Sequence, residues 1–357
     1  MNESPTTTTK TPTDATATAK ATATATTNTP TPTRATAIIN AIAAAIIPTT
    51  PSAHADDVRL AIWSILLTVF VLSFGDAMVK FISGDFPLWQ IYLLRSLIAL
   101  PALFALLAML ARRNADWRPR PVALGWTLLR SVLMVVMWTF YYVALPHIHF
   151  SVAATVLYTI PLFITLLSAL FTGDRVGARA WLAVAFGFVG VVVVVRPAAA
   201  DFNAYALLPL ISAILFALAM ILTRTKCRGE STMILALGQN LMFALASAAV
   251  GIALLIAQPS TDVATQFLLG DWVSLGAAQW GVMITLGATV VIGNIFGALA
   301  YQRGPSPIVA TFDYSYLAFS LLWGLLLFAE VPDLPSAIGM GMIAASGVAV
   351  VRQARGG

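Results

Sequence analysis

Ten apolar stretches follow one another along most of the chain, each long enough to cross a lipid bilayer as a helix. A hydrocarbon core of about 30 Å requires roughly 20 helical residues, and only helices or closed barrels satisfy their own backbone hydrogen bonds there. The alternating pattern of barrel strands is absent. We number the stretches as segments 1 to 10, near residues 59–82, 87–111, 121–145, 151–171, 177–196, 204–223, 231–257, 278–301, 306–328 and 334–351. The predicted fold is an all-α integral membrane protein with ten transmembrane helices.

Charged residues are too few to cover a surface that faces water. Only 10% of the 357 residues are charged and the mean hydropathy is +0.87, whereas soluble domains carry about a quarter charged residues. The lipid bilayer is therefore an expected partner. The net charge of +5 does not indicate nucleic acid as a partner, because the basic residues lie in short connections between apolar segments.

The ends of the chain differ from the apolar region between them. Residues 1–58 are rich in Thr, Ala and Pro, a composition that predicts a disordered tail. The apolar run 37–47 is too short to span, and the SAHA sequence after it lacks the context of a cleaved signal peptide. We expect an uncleaved tail, with an over-extended gene start as the alternative. Residues 353–357 form a short C-terminal end.

The distribution of Lys and Arg predicts the orientation in the membrane. Basic residues concentrate at the start of segment 1, in the even-numbered connections and at the C-terminus: Arg59, Arg112, Arg113, Arg118, Arg120, Arg175, Arg179, Arg224, Lys226, Arg228, Arg303, Arg352 and Arg355. The odd-numbered connections hold only Arg196. Cytoplasmic connections carry the excess of Lys and Arg, so both termini are expected in the cytoplasm of a bacterium, with the protein in its inner membrane.

An internal repeat divides the apolar region into two halves. Residues 151–196, moved forward by 156 positions, align without a gap on 307–352. The pairs in this alignment include Ala154 with Ala310, Thr155 with Thr311, Tyr158 with Tyr314, Phe163 with Phe319, Asp174 with Glu330 and Arg196 with Arg352. An offset of 144 in the first two segments pairs Lys80 with Arg224 and Arg95 with Gln239. The unit is five helices long, which predicts a first repeat at 59–197 and an inverted second repeat at 203–352. Inverted repeats around a midplane site are typical of secondary transporters.

Three stretches carry a resemblance to a known family. They are PLWQIYLLRSLIALPALF (87–104), the run from FYYVALPHIHF to VVVVVRP (140–197), and FDYSYLAFSLLWGLLLFAEVP (312–332). The chain resembles the drug/metabolite transporter superfamily, specifically the EamA type with ten helices and two EamA repeats, over about 59–352. The resemblance implies a basket-like bundle with a central cavity lined by both halves. It also implies a small-metabolite substrate, such as an exported amino acid, imported S-adenosylmethionine or riboflavin.

A charged side chain inside a membrane-spanning segment carries a high free-energy cost, so each such residue is a functional candidate. Asp76 and Lys80 lie four residues apart on segment 1 and share a face. Arg95 enters segment 2 from the same end, so Asp76 and Arg95 are expected to meet. Asp76 and Arg95 have two alternative roles. They could form a buried ion pair that fixes segment 1 against segment 2. Alternatively, Arg95 contacts the substrate, as the resemblance to the family's usual arginine in segment 2 implies. For Lys80 the alternative is a side chain that extends to the membrane interface.

Arg130 in segment 3 and Asp313 in segment 9 lie near the opposite, cytoplasmic end. A pair between them would join the two halves and act as a gate. A protonatable Asp313 would also couple transport to a proton. The repeat aligns Asp313 with Leu157, so the two halves differ at this position.

Aromatic side chains gather in the same segments. Trp138 and Tyr142 lie in segment 3, and Tyr158 and Tyr314 occupy matching positions of the repeat in segments 4 and 9. Part of the aromatic set is expected at the membrane interface, with Trp89, Trp117 and Trp272 as the examples. Polar aromatics around a cavity suit a flat heterocyclic substrate, which they can stack on and hydrogen-bond.

Other function classes lack their motifs. The sequence has no Walker A, HExxH or dinucleotide-binding glycine pattern, and His147 with His149 makes a weak metal site, so no metal or cofactor is expected. An integral-membrane enzyme would need acids or histidines clustered at the surface, and a channel would need rings of like charge. The predicted function is a secondary transporter that takes up a flat vitamin or cofactor such as riboflavin. Export of amino acids and S-adenosylmethionine import are the alternatives, and the protein is expected to be a monomer or homodimer.

Overall fold

The computed structural model describes residues 58–113, 121–171, 177–196, 202–258, 265–303 and 306–353, and these ranges are helical without a strand. The helices are Val58–Phe81, Leu88–Arg113, Leu124–Ala144, Phe150–Leu157, Ile160–Phe171, Ala178–Val195, Leu208–Thr225, Thr232–Ala257, Gln266–Leu269, Ala277–Arg303, Ser306–Asp313, Ser315–Phe328 and Leu334–Gln353, with a 3-10 turn at Ala204–Leu207. The predicted tail, Trp117, Asp174 and the basic residues at 118, 120, 175 and 355 lie outside the described residues.

All ten predicted segments are helical within these ranges. Nine of them, all except segment 5, are long and apolar enough by themselves to cross a membrane, and segment 5 contributes the shorter apolar stretch Trp181–Val195. The prediction of an all-α multi-pass membrane protein is confirmed. The predicted count of ten spanning helices is approximate, because segment 5 is shorter than the other nine.

Segments 4 and 9 are each broken into two helices. Segment 4 stops at Leu157 and resumes at Ile160, because Pro161 has no N–H to donate to the Leu157 carbonyl and its ring would clash with that group. Segment 9 stops at Asp313 and resumes at Ser315 without a proline. The two breaks fall at positions that the repeat aligns. Discontinuous helices of this kind form the binding sites of many transporters.

Helices pair across the two halves of the chain. Segment 1 packs on segment 8, 3 on 6, 2 on 7 and 5 on 10. If each segment is exchanged for its equivalent in the other half, five positions away in segment number, the pair of segments 1 and 8 becomes the pair of segments 6 and 3. The pairs 2–7 and 5–10 are unchanged by this exchange. Two equivalent five-helix halves would produce this pairing, which supports the repeat proposed at 59–197 and 203–352.

The contact between segments 5 and 10 is made by backbone. A Cβ added at Gly339 would lie 2.8 Å from the carbonyl oxygen of Gly190, and one added at Gly190 would lie 3.0 Å from the carbonyl oxygen of Gly339. At these two positions only glycine leaves room for the neighbouring backbone. Small residues commonly allow such close approach between helices in membranes. Gly341 has no atom within 4 Å of an added Cβ, so not every glycine here serves packing.

Hydrogen bonds join the odd-numbered connections at one end of the bundle, which we call the Lys80 end. The Asn203 amide donates to the His147 carbonyl (2.8 Å), and the Trp89 indole donates to the Gly270 carbonyl (3.0 Å). Trp89 is buried in this contact, so its ring does not face lipid. At the opposite end, the Glu230 end, the Glu230 carboxylate accepts from the backbone amide of Ala123 at the start of segment 3 (2.6 Å).

Candidate functional site

Asp76 lies in the interior, held by hydroxyl groups from two other segments. Its carboxylate accepts hydrogen bonds from Tyr142 of segment 3 (2.7 Å) and from Tyr316 of segment 9. The residue is only 5% exposed. A buried carboxylate is tolerated only when hydrogen bonds replace its hydration, so these two tyrosines are required to keep Asp76 in place.

Arg95 reaches Asp76 through Tyr142 and not directly. The Arg95 Nη1 donates to the Tyr142 hydroxyl at 3.3 Å, and no Arg95–Asp76 ion pair forms within the described ranges. The two charges therefore do not meet directly as the sequence had suggested; the Tyr142 hydroxyl bridges them. The guanidinium also lies 5.0 Å from the Phe243 ring centre and 5.1 Å from that of Tyr92, at distances typical of cation–π contacts.

One donor of Arg95 is left without a partner. The residue is 7% exposed, and its Nε is buried and makes no hydrogen bond within the described part of the chain. Leaving such a donor unsatisfied costs free energy. An acceptor on a ligand would satisfy it.

A chain of aromatic rings leads from Asp76 to the broken helices. The Tyr316 ring stacks on Tyr158 with centres 4.9 Å apart, and Tyr158 meets Tyr314 edge-on at 5.5 Å. The ring centres of Trp138 and Tyr142 lie 5.3 Å apart. The hydroxyl groups of Tyr141 and Tyr316 lie 3.4 Å apart. We call this set the Asp76 cluster: Asp76, Arg95, Trp138, Tyr141, Tyr142, Tyr158, Tyr314 and Tyr316.

Sequence reasoning overlooked two members of the cluster, Tyr141 and Tyr316. For Tyr316 the repeat gives no paired signal, because it aligns this residue with the apolar Ile160. The available signal was position, since Tyr316 lies two residues after Tyr314 and three after Asp313 in segment 9. It would have required knowing that segment 9 breaks there.

The break in segment 9 presents two groups without partners. The half-buried carboxylate of Asp313, the last residue of the first helix, makes no hydrogen bond or ion pair among the described residues. The next residue, Tyr314, has a buried hydroxyl that likewise finds no partner there. That hydroxyl lies against segment 10, where a Cβ added to Gly347 would fall 1.7 Å from it. Leu157, the repeat counterpart of Asp313, is buried.

Arg130 binds neutral groups and not Asp313. Its Nε donates to the Thr223 hydroxyl at 2.9 Å and its Nη1 to the Gln239 side chain at 3.2 Å. Neither of the ion pairs among the described residues joins Arg130 to Asp313, so the predicted gate pair is not formed in this structure. Arg130 lies outside the Asp76 cluster, beside the residue that the repeat aligns with Arg95.

Lys80 forms an ion pair that the sequence did not indicate. Its ammonium group binds Glu330, donates to the Ile148 carbonyl at 2.6 Å and lies 4.9 Å from the Phe328 ring centre. The side chain is therefore held by Glu330 and the Ile148 carbonyl at the end of the bundle and is not exposed. Lys80 is not in contact with Asp76, although the two share a helix face.

A cavity of about 400 Å³ opens at the Lys80 end, lined in part by His147, His149, Arg196, Asn203 and Asp333. His147 stacks on Tyr205 with ring centres 3.7 Å apart, and desolvation there lowers the pKa of His147. No group of three His, Cys, Asp or Glu side chains able to hold a metal occurs within the described ranges. This cavity contains no member of the Asp76 cluster.

Comparisons with known proteins agree on the class of molecule. The EamA-like transporter family matches residues 59–196. The pseudopaline exporter CntI of Pseudomonas aeruginosa is 26% identical over 293 residues, which cover 82% of this chain and 95% of that protein. A riboflavin transporter of Vibrio cholerae is 29% identical over 233 residues, covering 64% and 72%. An S-adenosylmethionine uptake transporter of Rickettsia felis is 24% identical over 275 residues, covering 75% and 84%.

A solved crystal structure shows the same fold, with a TM-score of 0.53, 21% identity, and coverage of 84% of this chain and 97% of the other. At that identity the likeness concerns the fold alone. The named relatives are transporters and none is named as an enzyme. The chain is a multi-pass membrane protein whose residues 59–196 match the EamA-like transporter family, and its named relatives are transporters; together these findings support an EamA-type member of the drug/metabolite transporter superfamily.

Proposed function

We propose that the protein is a secondary transporter that moves a small organic metabolite across the bacterial inner membrane by alternating access. The Asp76 cluster carries this proposal. It joins segments 1, 2 and 3 of the first half to segment 9 of the second, and it includes residues at both helix breaks. A site between two inverted halves, formed at discontinuous helices, is the arrangement that alternating access requires. Both termini are proposed to face the cytoplasm.

The chemistry of the cluster favours a flat, ring-containing substrate with hydrogen-bonding groups. Five tyrosine rings and Trp138 offer faces for stacking, and the buried Nε of Arg95 and hydroxyl of Tyr314 have no partner in the described part of the chain. A heterocycle with a carbonyl or carboxylate acceptor would stack on the rings and bind Arg95. Uptake of riboflavin or a similar compound is therefore our leading proposal, and relatives named as riboflavin transporters support it.

Export is the second candidate. A pseudopaline exporter matches 82% of this chain, which favours outward movement of a metabolite, as in the alternative of amino-acid export. Import of S-adenosylmethionine, supported by the Rickettsia relatives, also remains open. The protein is proposed to work as a monomer or homodimer.

Asp313 is the proposed site of a coupling proton. Its carboxylate lies half-buried at the break in segment 9, without an ion-pair or hydrogen-bond partner among the described residues. A carboxylate in that position can change protonation state without breaking another contact. Binding and release of a proton there would reach the substrate site through the adjacent Tyr314.

Reconstitution of the purified protein in liposomes tests the function. The panel should contain riboflavin, S-adenosylmethionine and single amino acids, each measured in both directions, with and without a pH gradient. We expect saturable riboflavin uptake, which the Arg95→Ala variant abolishes while remaining folded and membrane-inserted. Transport of an amino acid without riboflavin transport would replace the leading substrate with the second candidate. No flux of any compound above empty liposomes would contradict the proposal as a whole.

A further inference from the structure

A compact set of contacts closes the Lys80 end of the bundle. Lys80, in the last turn of segment 1, binds Glu330, which follows segment 9. Lys80 also donates to the Ile148 carbonyl at 2.6 Å, and the second Glu330 oxygen accepts from the Phe150 backbone amide at 2.7 Å. We call these contacts the Glu330 latch.

The latch joins the two halves of the protein through one side chain. Glu330 belongs to the second half, whereas Lys80, Ile148 and Phe150 belong to the first. Phe150 is the first residue of segment 4, so its amide is one that a helix leaves unsatisfied. The positive end of the helix dipole favours a carboxylate there. Glu330 therefore binds a charge and a helix end at the same time.

Burial distinguishes the latch from the other ion pair at this end. The Lys80 and Glu330 side chains are 9% and 13% exposed, whereas Arg196 and Asp333 are 35% and 52% exposed. Exposed pairs contribute little to stability. Removing one partner of a buried pair leaves an uncompensated charge and is far more costly. The Arg196–Asp333 pair is thus a natural control, because it also joins the two halves.

We propose that the Glu330 latch is the gate at the Lys80 end of the transport path, and that Glu330 and Lys80 are positioning residues for transport. The inference rests on the proposed alternating access, since an end that opens must separate segments 1 and 4 from segment 9. The latch joins those elements. The next layer inward is the contact between the Trp323 indole of segment 9 and the Ser73 hydroxyl of segment 1 (3.1 Å), which opening would expose.

Thiol labelling tests the gate without any substrate. The single native cysteine, Cys227, is replaced by serine, and Ser73→Cys introduces a nearly isosteric thiol at a fully buried position. Vesicles carrying the protein are treated with a charged, membrane-impermeant thiol reagent from either side. We expect Glu330→Gln to accelerate labelling from the Lys80 end by about tenfold or more, because a buried lysine loses its charged partner. Asp333→Asn, the matched control, should leave the rate unchanged.

A charge exchange separates the ion pair from the backbone contacts. In the double variant Lys80→Glu with Glu330→Lys, the opposite charges are restored, but position 80 no longer donates to the Ile148 carbonyl and position 330 no longer accepts from the Phe150 amide. We expect labelling slower than in either single variant and faster than in the parent. The double variant also keeps the test open if Glu330→Gln fails to fold, since its charges remain compensated.

The outcomes of the two tests are distinct. Labelling at the parent rate in folded Glu330→Gln protein would overturn the gate, and so would a double variant that labels as fast as Lys80→Glu alone. Neither result depends on knowing the substrate. Faster labelling in Glu330→Gln with no flux of any compound in the metabolite panel would show that the latch closes the Lys80 end, and the missing flux would contradict the proposed function separately.

Discussion

A single hydroxyl, that of Tyr142, connects the two buried charges of the site. It donates to Asp76 and accepts from Arg95, so each charge is stabilised without direct contact between them. A ligand that binds Arg95 would therefore change the hydrogen bonding of Asp76 through one intermediate group. The residue that transmits the effect is neutral, which allows the site to accept a neutral or an anionic ligand group.

Tyr142→Phe should reduce the transport rate by about tenfold, because hydrogen bonds to charged groups contribute about 1.5–3 kcal/mol. The ring remains, so stacking on Trp138 should survive. Initial rates in liposomes at equal protein density provide the measurement. Tyr205→Phe, outside the cluster, is the control and should transport normally. An unchanged rate in Tyr142→Phe would mean that the bridge has no role in transport.

Asp313→Asn should flatten the pH dependence of transport if this carboxylate carries the coupling proton. The matched control is Asp333→Asn. Hydrogen bonding to Arg196 holds the pKa of Asp333 well below its ordinary value, so Asp333 stays charged across neutral and mildly acidic pH, and its contribution is lost only under strong acid. Initial rates between about pH 5 and 8 decide the matter. A profile like the parent's in Asp313→Asn would leave Asp313 without a role in coupling.

Among the helices, the two broken ones place the site. The sequence contains a signal for the break in segment 4, since Pro161 removes a helix hydrogen bond to Leu157. It contains no such signal in segment 9, where Leu317 occupies the aligned position. The repeat was the only guide there, and it correctly aligned Tyr158 with Tyr314. Pro209 does not interrupt segment 6, because it lies in the first turn of the helix, where a missing N–H costs nothing.

Pro161→Ala should restore a continuous helix in segment 4, because an amide at position 161 can donate to the Leu157 carbonyl. The thermal midpoint should stay the same or rise, since an interior proline costs a helix about 3 kcal/mol. Transport should fall by about tenfold or more, because Tyr158 would leave its stack with Tyr316. Pro209→Ala is the control, with both quantities unchanged. Normal transport in Pro161→Ala would show that the break is dispensable.

For the whole molecule, hydropathy predicted the helices and their order because burial in lipid depends on length and composition alone. The contact partners of individual side chains were harder to predict. Arg130 and Asp313 were matched by depth and opposite charge, yet Arg130 binds Thr223 and Gln239. Hydropathy gives the depth of a residue in the membrane but not its direction around the helix axis. The Glu330 latch was missed because its residues come from the end of segment 1, the connection before segment 4 with the start of that segment, and the connection after segment 9, and hydropathy does not show which of these ends meet.

Orientation can be measured with two exposed glycines. Gly84 lies in a connection at the Lys80 end and Gly229 in one at the Glu230 end. At both positions there is room for an added side chain. In a Cys227→Ser background, a thiol introduced by Gly84→Cys should react with an impermeant reagent from outside intact cells. Gly229→Cys should react only after the cytoplasm is opened. The reverse result would contradict the orientation predicted from Lys and Arg.

The pairing of Leu157 with Asp313 has an energetic consequence under the proposed repeat. Two identical inverted halves would give inward-facing and outward-facing forms of equal energy, because each form would be the other turned over. One half places an apolar side chain at its helix break, and the other half places a carboxylate there. The two forms then solvate that carboxylate differently and lose their degeneracy. Under this proposal the empty transporter rests preferentially in one of them, and the protonation state of Asp313 shifts that preference.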